Sequence, residues 1–238
     1  MRIEDIAYSA DGVRMVGQYA VDDKKQGKRP GVLVIHEGNG LNDHTKKIAQ
    51  RLAALGYAAF AMDYYGEGKP LANPADSATR LAPWRTDRTG IRARATAALD
   101  VLAKQRETDS SRLAAIGYCF GGTTALELGR MGADLKAVVG FHSGLGTPQP
   151  QAARNIKGKV LVHIGTEDPL IPPEQRAAFE TEMREGGVDW RMILYGGACH
   201  SFTNPAVDAL NRPGFRFHEA TDRRSWNSML ELFNETLK

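Results

Sequence analysis

Short apolar runs recur along the chain and alternate with stretches in which apolar residues return every three or four positions. Gly31-Val32-Leu33-Val34-Ile35 and Ala137–Phe141 are short apolar segments, the pattern of buried strands, and Lys159–Ile164 reads as a further strand. Tyr57–Met62, Arg112–Tyr118 and Trp190–Tyr195 fit the same template. Helical spacing appears over Thr45–Leu55, where Ile48, Leu52 and Leu55 share a face and Gly56 supplies a stop. It returns over Thr89–Gln105, with Ile91, Ala95, Leu99 and Leu102 in register. Phe120–Met131, Pro173–Glu185 and His218–Leu237 complete the predicted helices. At the N-terminal end, Ile6–Ser9 and Val13–Tyr19 flank Asp11-Gly12, a hairpin signal, and Asp22–Pro30 is expected to be a polar linker.

Strand and helix alternate, with connections long enough for crossovers. The predicted architecture is α/β: a mostly parallel, doubly wound sheet with an N-terminal antiparallel hairpin and helices on both faces. Residues 64–86 break the pattern. They have no periodicity and contain Gly66, Gly68, Pro70, Pro74 and Pro83, so a cap loop over a site is expected there. There is no internal repeat, and 238 residues suit one α/β domain spanning 1–238.

Bulk chemistry narrows the function classes. Hydrophobic residues make up 42% and charged residues 25% of the chain, an ordinary soluble composition. The net charge of +3 is scattered, and its densest cluster, Lys24-Lys25 to Lys28-Arg29, lies in the linker, so no nucleic-acid partner is expected. No apolar run approaches the roughly 18 residues that cross a bilayer, so no membrane partner is expected either. The start, Met1-Arg2-Ile3-Glu4-Asp5, lacks the apolar core of a signal peptide. Cytoplasmic residence follows as the expectation, with Cys119 and Cys199 as free thiols. A monomer or weak homo-oligomer is expected.

The chemistry gathers at predicted strand ends, where ligands bind in open α/β sheets. Glu37 follows Ile35, Asp63 follows Met62, and Asp168 and His200 follow the last two strands. Cys119 sits in Gly117-Tyr118-Cys119-Phe120-Gly121-Gly122, between a strand and a helix. This is the context of the G-x-S-x-G nucleophile elbow, with cysteine in the serine position. The turn is sharp, and flanking side chains would collide with strand and helix, which explains the glycines. A thiol needs a base to become a nucleophile at neutral pH, and a helix start favours its negative form. His200 can take that proton and return it to a leaving group. An acid must orient the imidazole. Asp168 and Glu167 compete for this role, and Asp168, followed by Pro169, Ile171 and Pro172, suits the sharp exit of such a loop. Backbone N–H groups of Phe120 and of Gly38, after Ile35, would form the oxyanion hole. The order nucleophile, acid, histidine is that of the α/β-hydrolases.

Other candidates lead nowhere. Cys199 precedes His200 in an extended segment and points away from it. His36-Glu37 begins an H-E-x-x-H motif, but Gly40 ends it. His163 lies inside a strand, as a core histidine does, and Gly38-Asn39-Gly40 has no P-loop lysine. No metal and no cofactor are assigned.

The chain resembles the dienelactone hydrolase (carboxymethylenebutenolidase) family of α/β-hydrolases. The resemblance is carried by Gly117-Tyr118-Cys119-Phe120-Gly121-Gly122, Ile35-His36-Glu37-Gly38, Gly165-Thr166-Glu167-Asp168 and His200-Ser201-Phe202. It implies a cofactor-independent enzyme that opens small carboxylic esters or lactones through a cysteine thioester, with Cys119, Asp168, His200 and Glu37 as catalytic residues. It further implies that Glu37 contacts the thiol and that its displacement by an anionic substrate frees the thiolate. One position departs from the family: where its members carry a carboxylate-binding arginine, four residues after the histidine, this chain has Asn204. An amide cannot make arginine's bidentate contact. Arg80, Trp84 and Arg85 in the expected cap, with Ser201 and Asn204, are the candidate substrate contacts. The alternatives are a general carboxylesterase for small uncharged esters and a non-catalytic ligand-binding protein of the same fold.

Overall fold

The computed structural model describes residues 1–238, which divide into two compact units, Met1–Ile116 and Gly117–Lys238. In the first unit, β1 (Arg2–Ala10) and β2 (Val13–Val21) form an antiparallel hairpin turning at Asp11 and Gly12, both with positive φ. β2 pairs antiparallel with β4 (Ala58–Met62), which runs parallel to β3 (Arg29–Ile35). The strand order is β1-β2-β4-β3-β5, with β5 spanning Thr108–Tyr118. Every residue of β4 is buried, as the continuous apolar run requires.

Helices cover both faces of the mixed sheet. α1 (Asp43–Ala54) is capped by the Asn42 side chain, which accepts from the Thr45 N–H at 3.1 Å. It buries Ile48, Ala49, Leu52 and Ala53 against β2, β3 and β4, and ends before Gly56, whose φ is +102°. α3 (Thr89–Ala103) buries Ile91, Ala95, Leu99 and Leu102 and packs on β1, β3 and β4.

Several boundaries differ from the sequence expectation, among them the start of β1 at Arg2 rather than Ile6 and the end of α3 at Ala103 rather than Gln105. The segment 64–86 is not all irregular, because a 3-10 turn at Pro74–Asp76 leads into helix α2 (Ser77–Thr86). α2 buries only Leu81 and contains Pro83, so it shows no apolar stripe and carries a helix-breaking residue. The linker is shorter than expected, since β3 begins at Arg29, whose guanidinium is buried against the carbonyls of Asp22 and Lys25. β5 begins at Thr108 rather than Arg112, behind the polar stretch Asp109-Ser110-Ser111.

In the second unit, β6 (Ala137–Phe141), β7 (Lys159–Gly165) and β8 (Trp190–Tyr195) run parallel, in register from Ala137↔Lys159 and Val160↔Trp190. The helices are α4 (Phe120–Arg130), α5 (Pro173–Glu185) and α6 (Glu219–Thr236). α4 packs on β6, and α6 on β6 and β7. Arg130, at the end of α4, is fully buried. Its Nε and Nη2 donate to the two oxygens of Glu182 on α5 at 2.7 and 2.8 Å, its Nη1 to Glu127 at 2.9 Å, and Nη2 also to the Leu145 carbonyl at 2.8 Å. Burial raises the Glu182 carboxyl's pKa, and Arg130 opposes that rise.

Candidate functional site

Cys119 occupies the turn between β5 and α4. Its φ of 53° and ψ of −122° are a conformation that a side chain adopts only when the surrounding structure enforces it. Two contacts enforce it. The Cys119 N–H donates to the Phe141 carbonyl at 3.0 Å, and the first turn of α4 closes on the Cys119 carbonyl through the Gly122 N–H at 3.1 Å. The turn admits no bulk. A Cβ on Gly117 would lie 2.1 Å from the Gly121 carbonyl oxygen, and one on Gly122 would lie 1.7 Å from Ser143 Oγ. Cys119 is part-exposed between buried neighbours, at the start of α4.

His200 and Asp168 stand at the ends of the next elements. The buried Nδ1–H of His200 donates to Asp168 Oδ2 at 2.7 Å, and Asp168 Oδ1 accepts from the Leu170 N–H at 2.9 Å. Glu167, the competing acid, is exposed and hydrogen-bonded to Thr166. Burial alone would keep His200 neutral. The charge of Cys119 and the hydrogen bond to Asp168 outweigh it and push its pKa up from 6.5 to about 10. His200 and Asp168 thus form a buried imidazole–carboxylate pair in the unit that also carries the Cys119 elbow.

Around this run the backbone is unusual. His142, directly after β6, has φ 41°, and Ser201 has φ 56°. His142 is buried, with Nε2 and Thr203 Oγ1 hydrogen-bonded at 2.9 Å, and its ring lies 5.1 Å from that of His200. Neither His142 nor Thr203 carried a sequence signal, because nothing local marks a contact between two separate loops. Asn204 is also buried, and its side-chain oxygen accepts from the Ala206 N–H at 3.1 Å, capping the 3-10 turn Pro205–Leu210. Phe120, the expected oxyanion donor, is buried at the first position of α4. Cys199 is part-exposed.

The remaining candidates lie in the first unit. Glu37 and Gly38 follow β3 and are buried. Consecutive carbonyls of this loop are tied down: Glu37 O accepts from Tyr64 Oη and Gly38 O from Tyr65 Oη, both at 2.8 Å, and Asn39 O from the Leu71 N–H at 2.8 Å. His36 stacks on Tyr64 at 3.7 Å, and burial lowers its pKa to about 4. Asp63 proves to be a loop organiser. Its carboxylate accepts from the N–H groups of Val16, Tyr65, Gly66 and Gly68. On α2, Trp84 stacks on Tyr65 at 5.8 Å and lies under the Arg94 guanidinium at 5.0 Å. Arg80 lines a cavity of about 550 Å³ with Arg14, Tyr65 and Lys69, whereas Arg85 is exposed and lines none of it. No group of three or more His, Cys, Asp or Glu side chains is arranged to hold a metal ion. No helix is long and apolar enough to cross a membrane.

A model of the dienelactone hydrolase family matches residues 16–237. A Salmonella typhimurium protein named "Putative carboxymethylenebutenolidase" is 30% identical over 241 residues, covering 94% of this chain and 84% of its own. Among solved structures, m3DLH is 46% identical with a TM-score of 0.96, covering 100% of this chain and 99% of its own. P91, a dienelactone hydrolase-like promiscuous phosphotriesterase from metagenomic libraries, is 40% identical with a TM-score of 0.95 and the same coverage.

Proposed function

This chain belongs to the dienelactone hydrolase family and is a carboxylic ester hydrolase, and on that premise we propose that it opens its ester or lactone through a thioester on Cys119. One observation carries the reading: a buried carboxylate, Asp168, holds the His200 imidazole at 2.7 Å in the unit whose strained elbow presents Cys119. The sulfur attacks the acyl carbon, and the carbonyl oxygen becomes an oxyanion, received by the Phe120 N–H at the start of α4. Collapse breaks the carbon–oxygen bond, and protonated His200 delivers its proton to the departing alkoxide. Neutral His200 then deprotonates a water that attacks the thioester, and collapse breaks the carbon–sulfur bond, releasing the acid and restoring the thiolate beside protonated His200. Every step uses this chain's side chains and water.

Names among the relatives support a dienelactone-type lactone as substrate; one from Bradyrhizobium carries the name of a furanylidene-propanoate lactonase, at 26% identity. A second reading, turnover of small uncharged esters, is favoured by Asn204, whose side-chain oxygen is engaged in capping where the family places an arginine. The test is to assay the purified protein on a dienelactone and on p-nitrophenyl acetate, beside Cys119→Ala. Lactone turnover that disappears in the variant supports the first reading, and ester turnover alone supports the second. Activity surviving in Cys119→Ala would refute the thioester.

A further inference from the structure

A single hydrogen bond does not fix an imidazole's plane. The Asp168 contact sets the distance of His200 Nδ1, but the final torsion of a histidine side chain is broad, and the ring can swing about that bond. Two other rings meet it. His142 lies 5.1 Å away at 68° and Phe215 lies 4.8 Å away at 65°, both in edge-to-face geometry.

Each of these rings is itself mounted. His142 leaves β6 in a left-handed conformation that glycine would adopt without cost, so its side chain is held there against backbone strain. Its N–H donates to the His163 carbonyl at 2.8 Å, its Nε2 is bonded to Thr203, and its far side meets Phe202 at 5.1 Å. Phe215 is carried by a short bridge to the histidine's own backbone. The His200 N–H donates to the Gly214 carbonyl at 2.9 Å, and the Arg216 N–H to the His200 carbonyl at 3.1 Å. The Arg212 guanidinium lies 3.9 Å from the Phe215 ring centre.

We propose that His142 and Phe215 are positioning residues, two ring walls that hold the His200 imidazole in the plane from which its Nε2 serves the Cys119 thiol. This rests on the reading of His200 as the base for Cys119. A wall that fails leaves the Asp168 bond in place but lets Nε2 point away from sulfur for part of the time. Misalignment of a reacting group slows chemistry more than it weakens substrate binding.

The test uses the full chain and the substrate it turns over, with His142→Asn, Phe215→Leu and Phe215→Tyr. Asparagine tolerates the left-handed backbone well, so His142→Asn removes the ring without adding strain. The expected result is a kcat about tenfold lower in His142→Asn and Phe215→Leu with KM within about twofold of wild type. Phe215→Tyr, which keeps the ring, should stay near wild type. In proton NMR, the downfield signal of the Asp168-bonded imidazole N–H should persist in all three. Unchanged kcat in both ring-removing variants would overturn the proposal. So would loss of the N–H signal together with cooperative folding, which would make both residues merely structural. His200→Ala separates the two levels: if it turns over as fast as wild type, the base reading itself falls, whereas a dead His200→Ala beside fully active wall variants removes only the clamp.

Discussion

His200 and Asp168 meet at 2.7 Å with both side chains sealed from water, at 1% and 0% exposure. A carboxylate so placed fixes which imidazole nitrogen carries the proton and compensates the ring's charge when it is protonated. Asp168→Asn should preserve the shape and reverse this preference. The expected loss in kcat is roughly four orders of magnitude, with far-ultraviolet circular dichroism unchanged. Retention of more than a tenth of the activity would show that Asp168 has no such role.

The proton on His200 depends on its neighbour's charge. Because the pKa is raised to about 10, the imidazole holds its proton through neutral pH and releases it only in alkali. Cys119→Ala removes the charge that raises it and leaves the opposing burial in place, so the transition should move down in pH. NMR titration of the His200 ring protons in the two proteins measures this directly. Superimposable curves would mean that the thiol does not govern the imidazole.

The elbow should be intolerant of one methyl group. Gly117→Ala would drive a Cβ into the backbone of Gly121 at 2.1–2.2 Å, and backbone cannot yield as a flexible side chain does. A loss of about 3 kcal/mol or more is expected, read from urea unfolding or from failure to accumulate soluble protein. Gly196→Ala, where an added Cβ meets nothing within 4 Å, is the matched control and should be near neutral.

The buried Arg130 network offers a test of pairing against packing. Glu182→Ala strips Arg130 of a bidentate partner at zero exposure and should cost about 3–5 kcal/mol. The double change Arg130→Met with Glu182→Met removes both charges and should cost clearly less. Equal losses in urea unfolding would argue that the pair matters only as volume.

Elements with sharp ends were legible in the sequence. Ala137–Phe141, Pro173–Glu185 and Trp190–Tyr195 are elements with the expected bounds because glycine, proline or charge stops each of them. α2 was not legible, since a helix that buries one residue leaves no stripe, and the start of β5 was masked by polar residues. Around the candidate site, the motif and chain order pointed to Cys119, Asp168 and His200, but not to what surrounds them. His142 and Phe215 reach His200 from separate loops, a relation that local spacing cannot encode. Asp63 illustrates the converse: a strand-end carboxylate that suggested chemistry is instead consumed by four backbone N–H groups.

Cys119, His142 and Ser201 all hold positive φ without being glycine, at a cost on the order of 1–3 kcal/mol each. Thermodynamic advantage and activity therefore pull in opposite directions at this one place. A library screened only for survival at high temperature should accumulate glycine or asparagine at these positions and lose turnover as it gains heat resistance. Durable active variants would have to be sought by mutating elsewhere, with the three positions held fixed.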